Sequence, residues 1–169
     1  EMLETFTKKW HAMKVDSISL RDYLGLTEQE YDAYLQTAPG VSFQELLDSQ
    51  RKTQRFRVYQ LDLEHGGTRA FAFGGIDALH KAGFQQPPAA EYTLVYDGEL
   101  TCPVGQDERD ILERIFARYN QAFPPDYRGR SIAPSDVLEL YDESERRYFY
   151  CDMAGFLQVK FSPALAKKA

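Results

Sequence analysis

A chain of 169 residues has room for one ordinary domain with a small extension and is long enough to bury a core. Its 43% hydrophobic and 14% aromatic content excludes the compositions that stay disordered for want of apolar surface. The net charge of −6 is spread evenly, with 6 basic and 9 acidic side chains in residues 1–54 and 14 and 17 in residues 55–169, which excludes a basic nucleic-acid arm in either part.

Cys102 and Cys151 stand far apart, so no disulfide framework is expected and a reducing, cytoplasmic setting fits. The sequence shows no apolar run of about 18 residues and no basic-then-apolar leader, so neither a membrane span nor secretion is expected.

Along residues 1–54 the pattern predicts short helices. Leu3, Phe6, Trp10 and Met13 fall on one helical face. Thr27 with Glu30 has capping-box spacing inside a Leu26/Tyr31 staple. Ser42 with Glu45, flanked by Val41 and Leu46, repeats the device after a Pro39-Gly40 stop. Segment 19–36 mimics a helix-turn-helix, with Leu20, Tyr23 and Leu24, then Gly25, then the capped helix. The second helix, however, carries Glu28, Glu30 and Asp32 and no basic residue, so it would meet phosphates with like charge. Direct nucleic-acid binding is not expected.

From Arg55 the chain turns aromatic and β-branched. A strand is predicted over 56–63, ended by Gly66-Gly67, and a helix over 76–82, with Gly83 at its left-handed cap and Phe84 placed to touch Leu79. A second strand covers 92–96, closed by Asp97-Gly98. Asp107 caps the longest helix, whose Ile111, Leu112, Ile115, Phe116 and Tyr119 make a stripe broad enough to cover a sheet, and Pro124-Pro125 ends it. Three closely spaced strands follow at 137–141, 147–151 and 156–161, the last with Leu157, Val159 and Phe161 facing inward. The expected fold is α+β: a small antiparallel or mixed sheet in the order β-α-β-α-β-β-β, with the helices on one face, preceded by a short helical segment. The corresponding organisation is a helical segment 1–54, an α+β domain 55–161 and a C-terminal tail 162–169.

Residues that carry chemistry are scattered. His11, His65 and His80 lie in three different segments and neither cysteine has a partner at motif spacing, so no metal or other cofactor is expected. His80-Lys81 suits the C-terminal end of a helix. Cys151 in an aromatic strand reads as a small hydrophobe, whereas Cys102, ahead of Pro103, has a context that permits exposure. Gly74-Gly75 reads as a tight turn. Arg114, Arg118, Arg128, Arg130, Arg146 and Arg147 are interleaved with acids and read as a solvated face with pairs such as Asp110 with Arg114. No constellation for nucleophilic or acid–base catalysis is present, and an enzyme is not expected.

Several segments taken in order carry a family pattern: Phe56-Arg57-Val58-Tyr59-Gln60-Leu61, Glu91-Tyr92-Thr93-Leu94-Val95-Tyr96-Asp97-Gly98-Glu99-Leu100, Ser131-Ile132-Ala133-Pro134-Ser135-Asp136-Val137-Leu138, Tyr150-Cys151-Asp152 and Gly155-Phe156. Together they resemble the YodL-like domain family. The resemblance implies a Gram-positive setting and polyvalent proteins of conjugative elements and phages, mostly without assigned activity; one Bacillus member is linked to the actin-like cytoskeletal protein MreB. It carries no catalytic signature. The function expected is a non-enzymatic interaction module of a mobile-element protein, with another protein as partner; the alternatives are a nucleic-acid-associated regulator using the helix-turn-helix-like segment 19–36 and an effector of the MreB cytoskeleton. The candidate contact surface is Tyr148, Tyr150 and Asp152, which alternate onto one strand face, with Arg146 and Arg147 beside them. Ser135 or Asp136 is expected to satisfy backbone donors where a strand begins, and Gly155 to permit a left-handed bend.

Overall fold

The computed structural model describes residues 19–23, 25–36, 51–64 and 66–169. The predicted helix bearing Leu3 to Met13, the second capped start at Ser42, and His11, Leu24 and His65 lie outside the described residues. The chain divides into two compact units between Lys52 and Thr53.

In the first unit, helix α1 (Leu20–Tyr23) is followed by α2 (Glu28–Leu35), with Gly25 between them at φ +66°. Both halves of the capping box form: Glu30 N donates to Thr27 Oγ1 at 3.2 Å, and Thr27 N donates to Glu30 Oε2 at 2.9 Å. Glu30 is buried, and its other oxygen accepts from Arg51 Nε at 2.8 Å. Burial works against its charge, but Arg51 and the Thr27 backbone outweigh it and hold the carboxyl below the usual range.

The second unit is built on strand β1 (Arg51–Leu61, of which Thr53 onward belongs to this unit), helix α3 (Ile76–Lys81), strand β2 (Tyr92–Pro103), helix α4 (Glu108–Arg118), and strands β3 (Val137–Tyr141), β4 (Arg146–Cys151), β5 (Phe156–Val159) and β6 (Lys167–Lys168). They form one mixed six-stranded sheet in the order β5-β4-β3-β1-β2-β6, so the fold is α+β. β1, β3, β4 and β5 are antiparallel to their neighbours in that run, while β6 is parallel to β2. The last eight residues thus do not form the tail expected of them: Lys167 and Lys168 pair with Thr93 and Leu94, and Ala169 N donates to Leu94 O at 3.2 Å.

The helices do not share one face of the sheet. Phe56 and Val58 of β1, Leu138 and Leu140 of β3, and Phe149 and Cys151 of β4 pack with Ile111, Leu112 and Ile115 of α4. Tyr59 and Leu61, Val137 and Tyr150, which point the other way by the two-residue alternation of a strand, pack with Leu79 of α3 and with Phe71. The reason is visible in β3, whose five residues are all buried: a strand apolar at both parities has to be covered on both sides. β2 also runs past its expected end. Gly98 is not a turn but a point of close approach, since a Cβ there would lie 2.4 Å from the Tyr96 ring.

The turns follow local chemistry. α3 ends as expected, with Gly83 at φ +93° and Phe84 N donating to Leu79 O at 3.2 Å. Asp107 caps α4 by accepting from Arg109 N at 3.1 Å. The N-terminus of α3 is capped from a distance, Ile76 N donating to Asp152 Oδ1 at 3.0 Å. A Cβ at Gly75 would sit 2.3 Å from that oxygen, so glycine there lets the two segments meet.

Because both faces are core, Leu79→Ala and Ile115→Ala are each expected to cost about 2–5 kcal/mol in urea unfolding. A near-neutral result for either would mean that its face is not packed as described.

Candidate interaction surface

The residues singled out from the sequence are not brought together as one exposed face. Tyr150 is fully buried, and its hydroxyl donates to Gly74 O at 2.9 Å, which corrects the expectation of an exposed ring. Burial, ahead of the nearby Asp152 charge, pushes its phenol well up. Tyr148 is half-buried, with its ring 5.5 Å from that of Phe161 and its hydroxyl 3.4 Å from Glu139 Oε1. Asp152 is occupied in holding α3 and also accepts from Met153 N at 2.9 Å. Arg146 is exposed and lies 4.0 Å from Glu139, whereas Arg147, one residue on and so on the opposite face, pairs with Glu108 of α4.

Two buried carboxylates, neither singled out as a charged centre in the sequence, organise the polar interior. Glu139 is wholly buried on the α3 side of β3. It accepts from Tyr59 Oη at 2.9 Å and has Arg57 at 3.5 Å, both from the neighbouring β1. Arg57 continues outward, donating to Asp97 at 2.9 Å and lying 4.2 Å over the Tyr141 ring. Burial first, then the Glu139 charge, raises the Tyr59 phenol.

Asp136 is the counterpart on the α4 side. It accepts from Arg130 Nη2 at 2.8 Å, Gln60 Nε2 at 3.0 Å and Ala133 N at 2.9 Å. Gln60 in turn accepts from Arg130 N at 2.9 Å, so the loop before β3 is laced to β1. Burial pushes the Asp136 carboxyl up to about 7 against the pull of Arg130. Next to it, Ser135 and Phe73 are the two non-glycine residues with left-handed backbone, at φ +80° and +61°, among the described residues. They are tied together, Phe73 N donating to Ser135 Oγ at 3.0 Å. Such conformations cost about 1–3 kcal/mol each and persist where surrounding bonds over-determine them. Tyr92 Oη on Ser135 O at 2.7 Å and Ser135 N on Cys151 O supply those bonds.

The open surface lies elsewhere, around the β4–β5 hairpin. Asp152 N donates to Gly155 O at 3.0 Å across a Met153-Ala154 loop, and Gly155 takes φ +91°. Met153 is 71% exposed, and Leu157, which shares the α3-side face of β5 with Val159 as its alternation predicts, is still 42% exposed. β5 is the sheet edge, and among the described residues no further strand lies beyond it. Phe156, edge-on to Phe116 of α4, separates two clefts of about 300 Å³ each. One is lined by Asp107, Arg109 and Phe149, the other by Glu113, Pro134 and Met153.

Among the described residues no three His, Cys, Asp or Glu side chains gather as metal ligands, and no helix is long and apolar enough to cross a membrane. Both cysteines are buried, Cys102 included, despite the context that permits exposure. Desolvation pushes the Cys151 thiol well above its ordinary value, the reverse of what a thiolate nucleophile needs. The arginines mostly serve structural pairs: Arg130 with Asp136, Arg147 with Glu108, and Arg109 with Glu113 as the i,i+4 pair on α4.

An acid whose folded pKa is raised from 3.8 to about 7 contributes most stability when protonated, and loses it as pH rises between those values. In urea titrations the stability advantage of the wild type over Asp136→Asn is therefore expected to narrow from about pH 4 to about pH 7. A constant difference would show that Asp136 stays ionised.

A family model described as the YodL-like domain matches residues 55–161, more than half of the chain. No curated protein and no solved structure matches it. The matched span takes in β1 to β5 with both buried carboxylates, and on that match the chain belongs to the YodL-like domain family.

Proposed function

We propose that this protein is a non-enzymatic interaction module of a bacterial mobile-element protein, acting in the cytoplasm of a Gram-positive cell, and that its partner is another protein. The observation that carries the reading is the hairpin end of the sheet. Exposed Met153 lines one of the two clefts flanking Phe156, and exposed Leu157 lies on the opposite face of the same edge strand, apolar surface of the kind that proteins bind. Family membership supports the mobile-element setting.

The charged groups support the same reading. Glu139 and Asp136 are sealed behind partners that satisfy them, and they serve the sheet rather than a substrate. On α2 the acidic Glu28 and Asp32 are exposed, which favours a protein partner over nucleic acid.

A photo-crosslinking side chain placed at Met153, and as a control at exposed Glu143 in the β3–β4 turn, tests the reading in Gram-positive cells that carry the element. Discrete protein adducts are expected from position 153 and not from 143. Equal adduct patterns, or adducts to nucleic acid alone, would refute it.

A further inference from the structure

We infer that β5 is a receptor edge for an extended segment of the partner, which adds as a further strand, seats an apolar side chain beside Phe156 and carries basic residues around it. This rests on the reading of the domain as a protein-binding module and specifies what is bound.

The backbone directions come first. In an antiparallel pair, successive residues alternate between facing the partner strand and facing away. Gly155 O is bonded to Asp152 N, so Gly155 faces β4. By the register Tyr150↔Leu157 and Tyr148↔Val159, Leu157 and Val159 do the same. The N–H and C=O groups of Phe156 and Gln158 therefore point away from the sheet. The next residue of that parity confirms the direction: Lys160 N is met by the side-chain oxygen of Gln86 at 2.8 Å. The chain closes its own edge at Lys160, and among the described residues the open stretch is Phe156 to Gln158.

Protected edges carry lysine, proline or a bulge, whereas β5 reads Phe-Leu-Gln-Val. Main-chain bonding to an added strand supplies affinity and pockets for alternate side chains supply specificity. Here the pockets are the two clefts on either side of Phe156. Their charge selects the ligand. Asp107, Glu113 and Asp152 line them against Arg109, and the Arg109–Glu113 pair at 3.1 Å is more than half exposed on both sides and therefore weak. A rim with this excess of carboxylates favours a cationic segment.

The test uses the full chain and capped peptides about eight residues long, an ordinary strand length, with Leu and Thr alternating in the centre and flanks of either Lys or Glu. Amide exchange read by NMR is expected to show the lysine-flanked peptide protecting Phe156 and Gln158, and a central proline in the peptide abolishing this. The glutamate-flanked peptide is expected to bind about three- to tenfold more weakly, the scale of one or two exposed ion pairs. Combining Asp107→Asn, which keeps a helix cap, with Glu113→Gln should erase that preference. Gln158→Pro removes an outward N–H that β4 does not use, so peptide binding should be lost with the urea midpoint retained; Leu157→Lys, which alters only the exposed side chain, is the companion if that variant fails to fold.

Protection elsewhere, or no dependence on peptide charge, overturns the inference. So does concentration-dependent dimerisation in sedimentation that Gln158→Pro abolishes, because a second copy would then own the edge. If adducts from position 153 persist in a chain that protects no peptide, strand addition fails while the protein-binding reading stands. If those adducts are absent as well, both fail.

Discussion

Strand β3 is the constraint on which the second unit depends. It is buried along its whole length, and it has a carboxylate aimed to each side: Glu139 toward the α3 layer and, from the residue just before the strand, Asp136 toward the α4 layer. A buried carboxylate is tolerable only when it is paired and hydrogen-bonded, and these two take their guanidinium groups from different places, Arg57 on β1 and Arg130 in the preceding loop. A slip of one residue would send both carboxylates to the wrong face of the sheet, away from the groups that satisfy them. The pairs are thus better understood as a register lock than as net stabilisation, since ion pairs removed from water recover little more than their desolvation cost.

The same arrangement accounts for what could and could not be read from the residues alone. Signals closed within a few residues were legible: the Thr27/Glu30 box, the Gly83 ending with Phe84 over Leu79, the Asp107 cap and the final hairpin strands. The two-sided core was not, because Val137-Leu138-Glu139-Leu140-Tyr141 has no alternation to say which face is covered. Tyr148-Phe149-Tyr150 misled for the same reason. Its tyrosines share a face, but that face is packed under α3 rather than bare. Gln60 and Tyr59, hydrogen-bonded to Asp136 and Glu139, lie 76 and 80 residues away in sequence. Only one clue was local, a carboxylate inside an otherwise apolar strand, which has to find a cation or an acid-tolerant neighbour.

Strain is concentrated where the loop after β1 meets the start of β3. Phe73 and Ser135, both in left-handed backbone, hold each other across a bond of 3.0 Å, and Arg130 passes 5.1 Å over the Phe73 ring on its way to Asp136. The loop after β1 is thereby pinned to the start of β3 by polar geometry rather than by buried area, while Phe73 itself stays half in water. Contacts of this kind fix a backbone path at little gain in stability.

The cap that Asp152 provides to α3 makes the persistence of that helix depend on a distant hairpin. A six-residue helix with a glycine at its N-cap cannot outlast its own nucleation cost in isolation. The acceptor it needs lies 76 residues downstream, in a hairpin that must already have turned. α3 is therefore a dependent element: its N-cap is lost whenever the hairpin opens, so in the native ensemble the Ile76 amide opens no less often than the hairpin that holds it.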